Sequence, residues 1–198
     1  NHFVKNDKNS KKYKVIITPP FTLLETFAKS FRNKKISIGA QNCYHKDFYS
    51  SNTGAISSYM IKALSCRYVI IGHSDNRLEG DTDAQLKNKV VYALKNNLKV
   101  IFCIGENKIQ KKRNQTFLVL KNQINKVLEH KINKNNIIIA YEPIWSIGTG
   151  KIPSFKELLR TTIFIKKVLF KIFKSKKTPH VLYGGSVYPS NIDQFKDL

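Results

Sequence analysis

Short runs of β-branched and aromatic residues alternate along this chain with longer amphipathic stretches, and this alternation constrains its fold most strongly. The runs lie at residues 15–18, 36–40, 68–72, 100–104, 137–141 and 181–183. Most of them are apolar throughout, as expected for parallel strands that are buried on both faces. The pattern therefore predicts repeated strand–helix units around a parallel α/β sheet. It leaves open whether the sheet is doubly wound or part of an eight-stranded barrel.

Three of the intervening stretches carry a helical pattern, at residues 83–96, 115–129 and 154–174. The last stretch begins at Ser154 and has Glu157 three residues later, which is typical of a capped helix N-terminus. No tandem repeat, long linker or low-complexity block divides the sequence. We therefore expect a single domain over residues 1–198.

The net charge of +22 comes from 35 lysines and arginines against 13 acidic residues. A charge of this size would suit a nucleic-acid or anionic membrane surface. Only five of the basic residues are arginines, however, and the lysines are scattered over every polar segment. Nucleic-acid readers rely on arginine for bidentate contacts, and their usual motifs are missing from the sequence. We therefore favour compositional drift over a nucleic-acid-binding module, although such a field attracts anionic substrates.

The three cysteines, Cys43, Cys66 and Cys103, are odd in number and show no Cys-x-x-Cys spacing. This argues against a disulfide framework or a zinc site and favours a reducing compartment such as the cytoplasm. The sequence also contains no run of roughly 18 apolar residues, so no membrane span and no membrane partner are predicted.

Polar residues and glycines cluster directly after the predicted strands. They are Gln41, Asn42, Gly72, His73, Ser74, Gly105, Glu106, Glu142, Gly184, Gly185 and Ser186. In α/β barrels the carboxyl ends of the strands carry the active site, while the opposite rim serves stability. The clustering therefore points to chemistry at one end of the sheet.

The most informative segment is residues 140–151, with the sequence Ala-Tyr-Glu-Pro-Ile-Trp-Ser-Ile-Gly-Thr-Gly-Lys. Glu142 ends a predicted strand and is followed by a Pro–Trp hinge, a short apolar stretch and a Gly-Thr-Gly hinge. This order suits a base beneath a hinged lid that excludes water. A surface loop with a structural tryptophan is the alternative. The segment is not a phosphate-binding P-loop, because Trp145 stands where its first glycine is required.

This segment resembles the signature of the triosephosphate isomerase family, and five further motifs follow in that family's order and spacing. They are Gly39-Ala40-Gln41-Asn42, Thr53-Gly54, Gly72-His73-Ser74-Asp75-Asn76-Arg77, Cys103-Ile104-Gly105-Glu106 and Tyr183-Gly184-Gly185-Ser186. The resemblance covers residues 15–198. It implies a TIM (β/α)8 barrel, here incomplete with about six of its eight βα units.

The resemblance implies interconversion of dihydroxyacetone phosphate and glyceraldehyde 3-phosphate by proton transfer through an enediolate, in glycolysis and gluconeogenesis. Glu142 would be the base and His73 a neutral electrophile at the start of a short helix. This family is itself a standard example of catalytic groups whose pKa values are tuned by their surroundings. The implied lid comprises Pro143, Ile144, Trp145, Ser146, Ile147, Gly148, Thr149, Gly150 and Lys151. The substrate phosphate would bind backbone N–H groups of Gly148 and Ser186, close to Gly184 and Gly185.

Four further residues are expected to support the site, namely Ser74, Asp75, Cys103 and Glu106. Cys103 fits a small buried hydrophobic position. Asp75 stands where the family usually has a longer glutamate. No cofactor or metal is implied, because the chemistry is proton transfer without redox change and the sequence shows no metal-ligand cluster.

The resemblance also implies a homodimer, with contacts through Gln41, Asn42, Thr53 and Gly54. The family usually has a glutamate at position 55 and an arginine at position 76, which pair across the dimer interface. This chain has Ala55 and Asn76. Losing both partners of a buried ion pair is far less harmful than losing one. We therefore expect the loop at residues 44–56 to dock into a partner without that ion pair.

The motifs of the first and last barrel strands are missing from the sequence. Nothing in residues 1–14 matches the family's Asn-x-Lys segment, which carries a catalytic lysine, and no Gly–Gly pair of an eighth strand follows Ser186. We expect a sheet with two bare edges as a result. The sequence leaves open whether the chain is an incomplete record of a longer enzyme or a non-catalytic barrel remnant.

We predict that these 198 residues, expressed alone, are poorly soluble and show near-background isomerase turnover. A missing lysine removes several kcal/mol of transition-state stabilisation on the usual scale for such groups. A coupled assay of triose phosphate interconversion measures this directly. Turnover close to that of a full-length family member would contradict the prediction.

Overall fold

The computed structural model describes residues 13–32, 35–47 and 51–195. The comparison of residues 1–12 with the family's first strand, and residues 48–50 of the expected docking loop, lie outside the described residues. Six strands occur in the described part of the chain, each within one residue of its predicted bounds. They are β1 (Val15–Ile17), β2 (Ile36–Ala40), β3 (Tyr68–Ile71), β4 (Lys99–Ile104), β5 (Ile137–Tyr141) and β6 (His180–Tyr183).

Helices connect these strands, so strand and helix alternate as predicted. The described α-helices are α1 (Phe21–Ser30), α2 (Ser58–Ala63), α3 (Ser74–Leu78), α4 (Asp83–Lys95), α5 (Lys108–Lys112), α6 (Thr116–Val127) and α7 (Phe155–Phe173). Short 3-10 turns lie at Lys134–Asn136, Ile144–Ser146 and Ile192–Phe195. The three helices predicted from sequence are confirmed to within two residues at each end.

The six strands form one parallel sheet in the order β1-β2-β3-β4-β5-β6. The sheet is curled, so that its first and last strands approach each other: Lys14, before β1, and His180, at the start of β6, line the same cavity of about 360 Å³. Consecutive parallel order and curling exclude a doubly wound sheet, in which the order reverses at a switch point. The architecture is the expected incomplete TIM barrel.

Burial follows position in the sheet. Every residue of β2 is buried, as are four of the five in β5, whereas β1 and β6 are partly exposed along their length. Strands flanked by neighbours and covered by helices lose contact with water on both faces, which explains their unbroken apolar runs. Among the described residues β1 and β6 each have one neighbour, and Val15 and Leu182 remain more than 40% exposed.

The helices bury one stripe against the sheet and are capped by local side chains. In α4 the buried stripe is Leu86, Val90 and Ala93, at the spacing of one helical face. The Ser154 hydroxyl accepts from the Glu157 backbone N–H and the Glu157 carboxylate accepts from the Ser154 N–H, so the predicted capping box starts α7. In the described part of the chain, no helix is long and apolar enough to cross a bilayer.

One ion pair is buried between α4 and the carboxyl ends of the strands. The Lys89 side chain is 4% exposed, and its Nζ donates to both carboxylate oxygens of Asp81 at 2.6 and 2.7 Å. It also donates to the side-chain oxygen of Asn42, at 3.0 Å. Because Asn42 follows β2, this network ties α4 to the end of the sheet that carries the predicted site.

Replacing Asp81 with alanine should lower the free energy of unfolding by about 3–5 kcal/mol, because Lys89 is left as an uncompensated buried charge. Urea denaturation at neutral pH measures the change. Glu25→Ala is the matched control, since the Glu25–Lys29 ion pair is exposed on α1 and contributes little. Equal losses from both variants would show that Lys89 does not depend on Asp81.

Candidate active site

His73 and Glu142 face each other at the carboxyl ends of β3 and β5. His73 Nε2 lies 3.9 Å from Glu142 Oε2. The two residues are far apart in the chain and converge because β4 alone separates their strands in the sheet. An imidazole and a carboxylate at this separation can act together on one small molecule.

A hydrogen bond from the backbone fixes which nitrogen of the neutral His73 ring carries the proton. His73 is the N-cap residue of α3, and its Nδ1 accepts a hydrogen bond from the Asp75 backbone N–H at 3.3 Å. A nitrogen that accepts this bond carries no proton, so the proton of the neutral ring lies on Nε2. The Asp75 carboxylate, also 3.4 Å from Nδ1, is mostly exposed. The ring therefore presents an Nε2–H donor toward the site.

Two glycines give Glu142 its position. A Cβ on Gly105 would lie 1.8 Å from the Glu142 carbonyl oxygen, and one on Gly184 would lie 2.6 Å from Glu142 Cγ. Both distances are impossible for real side chains, so β4 and β6 can approach Glu142 this closely only through glycine. The backbone bonds from Glu142 N to Ile104 O and from Gly184 N to Tyr141 O, both 2.8 Å, hold the three strand ends together.

Burial shapes the acidity of Glu142, which is 8% exposed. Loss of hydration raises the pKa of its carboxyl group, while the Cys103 thiol, His73 and Arg77 act in the opposite direction. Burial also raises the pKa of the Cys103 thiol well above its ordinary value. Cys103 is therefore a neutral, buried neighbour of the carboxylate.

Arg77 links the ends of β3 and β4 beneath the side chains of His73 and Glu142 through two hydrogen bonds. Its Nε donates to the Gly72 carbonyl at 2.8 Å and its Nη2 donates to the Cys103 carbonyl at 3.1 Å. Gly72 has φ +78°, and a Cβ there would lie 2.9 Å from the guanidinium. Arg77 thus ties the residue before His73 to the end of β4. Burial lowers the pKa of Arg77, with Asp83 opposing the change, but an arginine remains charged.

The segment after Glu142 is anchored by a buried carboxylate. Glu106 accepts a hydrogen bond from the indole Nε1–H of Trp145 at 2.9 Å and from the Tyr141 hydroxyl at 3.2 Å. Lys111 Nζ lies 5.3 Å from the centroid of the Trp145 ring. Desolvation raises the pKa of Tyr141, so its hydroxyl remains a donor to Glu106. The first turn of the expected lid is therefore firmly attached to β4 and β5.

The tip of this segment is exposed, in contrast to its buried base. Gly148 and Gly150 adopt φ values of +67° and +70°, which favour glycine. The Thr149 hydroxyl donates to the carbonyls of Trp145 and Ser146, which folds the tip back on the base. The Ser186 hydroxyl donates to the Ser146 carbonyl at 2.8 Å, which joins the loop after β6 to the base of this segment.

A cavity of about 360 Å³ opens beside His73 and is large enough for a three-carbon phosphate. Its described lining residues are Thr18, Phe21, Gln41, Asn42, Ile70, His73, Asp75 and Asn76. Among them there is neither lysine nor arginine. Within the described ranges, no three His, Cys, Asp or Glu side chains converge as metal ligands would.

Comparison with known sequences decides the family. The triosephosphate isomerase family profile matches residues 1–197. The chain belongs to this family. It is 37% identical over 197 residues to the triosephosphate isomerase of Geotalea uraniireducens, covering 97% of this chain and 78% of the relative. The Wolbachia pipientis enzyme is 40% identical over 195 residues (98% of this chain, 74% of the relative) and that of Aquifex aeolicus 35% over 201 residues (98% and 80%).

Family membership gives the resemblance seen in the sequence a firm basis, and the structure adds where each predicted interface residue lies. Thr53 and Gly54 are exposed, and Gly54 has φ +78°. Gln41 donates its side-chain N–H to the Thr18 carbonyl at 3.0 Å. The side-chain oxygen of Asn42 is occupied within the chain, since it accepts from Lys89 and from the Cys43 N–H.

Arg77 and Tyr183 have evident structural roles at this triosephosphate isomerase-type site but had none in the sequence analysis, and Ser146 was predicted only as one residue of the lid. Arg77 stands in the histidine motif, but one of its two carbonyl acceptors follows β3 and the other lies in β4. The Ser146 and Tyr183 hydroxyls lie 3.0 Å apart although their motifs are distant in sequence. The signal available in the sequence was a polar residue close to a strand end. Such a residue does not reveal which group will be its hydrogen-bond partner.

Replacing Glu142 with glutamine should stabilise the fold at neutral pH. Folding raises the pKa of this carboxyl group. Such a group destabilises the folded state increasingly as the pH rises from the pKa of the group in the unfolded chain to its pKa in the folded chain. The gain in unfolding free energy should therefore be larger at pH 7 than at pH 4. Urea denaturation at both pH values tests this, with exposed Glu25→Gln as control. A loss of stability, or a gain independent of pH, would contradict it.

Proposed function

We propose that this chain carries the catalytic base and electrophile of a triosephosphate isomerase and acts on dihydroxyacetone phosphate and glyceraldehyde 3-phosphate. The observation that supports this best is the 3.9 Å approach of His73 Nε2 to the buried Glu142 carboxylate, at the carboxyl ends of barrel strands. Family membership supplies the substrate class. The geometry supports the roles proposed for the two residues.

The reaction needs one base and one hydrogen-bond donor. Glu142 removes a proton from the carbon next to the substrate carbonyl, and the electron pair forms the enediolate double bond. The Nε2–H of His73 donates to the carbonyl oxygen, where negative charge develops. The protonated Glu142 then returns the proton to the former carbonyl carbon, while the hydroxyl group on the neighbouring carbon gives up its proton and the former carbonyl oxygen gains one, so the carbonyl moves by one position without net redox change.

The environment of Glu142 suits this task. A carboxylate with an ordinary pKa is a weak base toward carbon, and burial raises the pKa of Glu142 toward the working range of a general base. The tautomer of His73 is held by the Asp75 N–H, so the neutral ring is ready to donate. Closure of residues 143–151 would exclude water from the charge-separated intermediate.

The substrate phosphate is placed by backbone groups. The N–H groups of Gly148 and Ser186, next to Gly184 and Gly185, are proposed to bind it. The net charge of +22 attracts a phosphorylated substrate over a distance. The cavity beside His73 is lined, in the described residues, without a lysine or arginine.

We also propose that residues 1–198 form one partial barrel domain that pairs as a homodimer in the cytoplasm. The exposed Gly54 lines a second cavity, of about 380 Å³, with Asn42 and Asn76, where a docked loop could be received. All three cysteines are free and buried, which fits a reducing compartment. No cofactor, membrane partner or nucleic acid is part of this proposal.

Deuterium exchange into dihydroxyacetone phosphate in D₂O, followed by NMR, tests the proposal, because it registers proton abstraction even where full turnover is slow. The chain should exchange the carbon-bound proton faster than buffer. Glu142→Gln should bring the exchange rate down to that of buffer, because it removes the positioned base. Glu25→Gln, an exposed carboxylate on α1, should leave it unchanged. Exchange at the same rate in Glu142→Gln would overturn the assignment.

A further inference from the structure

The Ser146 hydroxyl joins both arms of the lid and attaches them to β6. The Ser146 residue is fully buried. Its Oγ donates to the carbonyl of Lys151 at 2.5 Å, across the neck of the lid, and lies 3.0 Å from the Tyr183 hydroxyl at the end of β6. Four residues, 147–150, form the loop that this neck closes. One side chain thus holds together three segments of backbone.

The direction of these bonds follows from counting protons. A serine hydroxyl carries one proton, and a backbone carbonyl can only accept. The Ser146 proton therefore goes to Lys151, and the Tyr183 hydroxyl must be the donor to Ser146. Burial raises the pKa of Tyr183, so this hydroxyl keeps its proton near neutral pH. The result is a directed chain from Tyr183 through Ser146 to the Lys151 carbonyl.

Other bonds make the lid one connected unit. The carbonyl of Ser146 accepts from the Ser186 hydroxyl at 2.8 Å, and the Thr149 hydroxyl accepts from the Lys151 N–H at 3.3 Å. The neck and tip are therefore cross-linked internally, while contacts to Tyr183 and Ser186 attach the unit to the end of β6 and to the loop that follows it. A lid built this way moves as a body when the outer contacts break.

We propose that Ser146 is a latch: its bond to Lys151 keeps the two arms of the lid together, and its bond from Tyr183 sets the docked position of the lid. Ser146 is a positioning residue, which acts on the substrate through the lid. This role rests on the proposed function only in assigning residues 143–151 as the cover of a triose phosphate site.

The chain contains its own reporter of the latch. Trp145 is the only tryptophan in the sequence and directly precedes Ser146. Its indole is half-buried between Glu106 and Lys111. Quenching of its fluorescence by acrylamide therefore reports how often the base of the lid detaches, and hydrogen exchange of residues 147–151 reports the neck.

The experiment compares the full chain with Ser146→Ala, Tyr183→Phe and the double variant, without ligand. Ser146→Ala removes both bonds and should increase lid detachment about fivefold or more, the usual effect of losing one or more net hydrogen bonds. Tyr183→Phe should give a smaller increase. The double variant should match Ser146→Ala, because both residues belong to one chain of bonds. Ser146→Thr keeps the hydroxyl and should remain close to the original.

A merely structural serine would lower the urea midpoint of the whole chain without a selective change at Trp145 or residues 147–151. That result, unchanged hydrogen exchange of residues 147–151 in Ser146→Ala, or strictly additive effects in the double variant would overturn the latch. Tyr183→Phe keeps the test decisive should Ser146→Ala fail to fold, since unchanged exchange of residues 147–151 there also contradicts the proposal. Titration with 2-phosphoglycolate separates the two hypotheses: absent binding with a loosened lid refutes the proposed function and leaves the latch standing.

Discussion

The contact between Glu142 and the glycines that flank it is the constraint on which the site depends. Glu142 follows β5 and packs between the ends of β4 and β6, because Gly105 and Gly184 have no side chains that would exclude it. Any side chain at either position would push the neighbouring strand end away and change the distance from Glu142 to His73. Close packing of three strand ends thus determines the chemistry, since a proton transfer requires positions held to fractions of an ångström.

Holding a carboxylate there is unfavourable for stability, and the surroundings limit the penalty. Burial raises the pKa of Glu142, while His73, Arg77 and the Cys103 thiol moderate it. Arg77 also joins the ends of β3 and β4, so the residue that supplies charge also maintains geometry. The same desolvation that destabilises the folded state at neutral pH is what makes a carboxylate an effective base.

The segment at residues 143–151 is attached to the sheet through two adjacent residues. Trp145 is held by the buried Glu106 and by the ammonium of Lys111, at the end of the segment nearest Glu142. The buried Ser146 hydroxyl contacts the Tyr183 hydroxyl and the Lys151 carbonyl, which joins the two ends of the segment beside β6. The buried Lys89–Asp81 pair stabilises the opposite wall of the site through Asn42.

The sequence by itself determined the element order, the strand bounds and the family, because apolar runs, capping residues and ordered motifs are local signals. It also pointed to Glu142 and His73, since polar residues at strand ends mark the active rim of a barrel. Tertiary structure alone decided the approach of His73 to Glu142, the anchoring of Trp145 on Glu106 and the contact of Ser146 with Tyr183. Those features depend on which strand ends meet, and a directional contact between residues distant in sequence leaves no periodic trace in the chain.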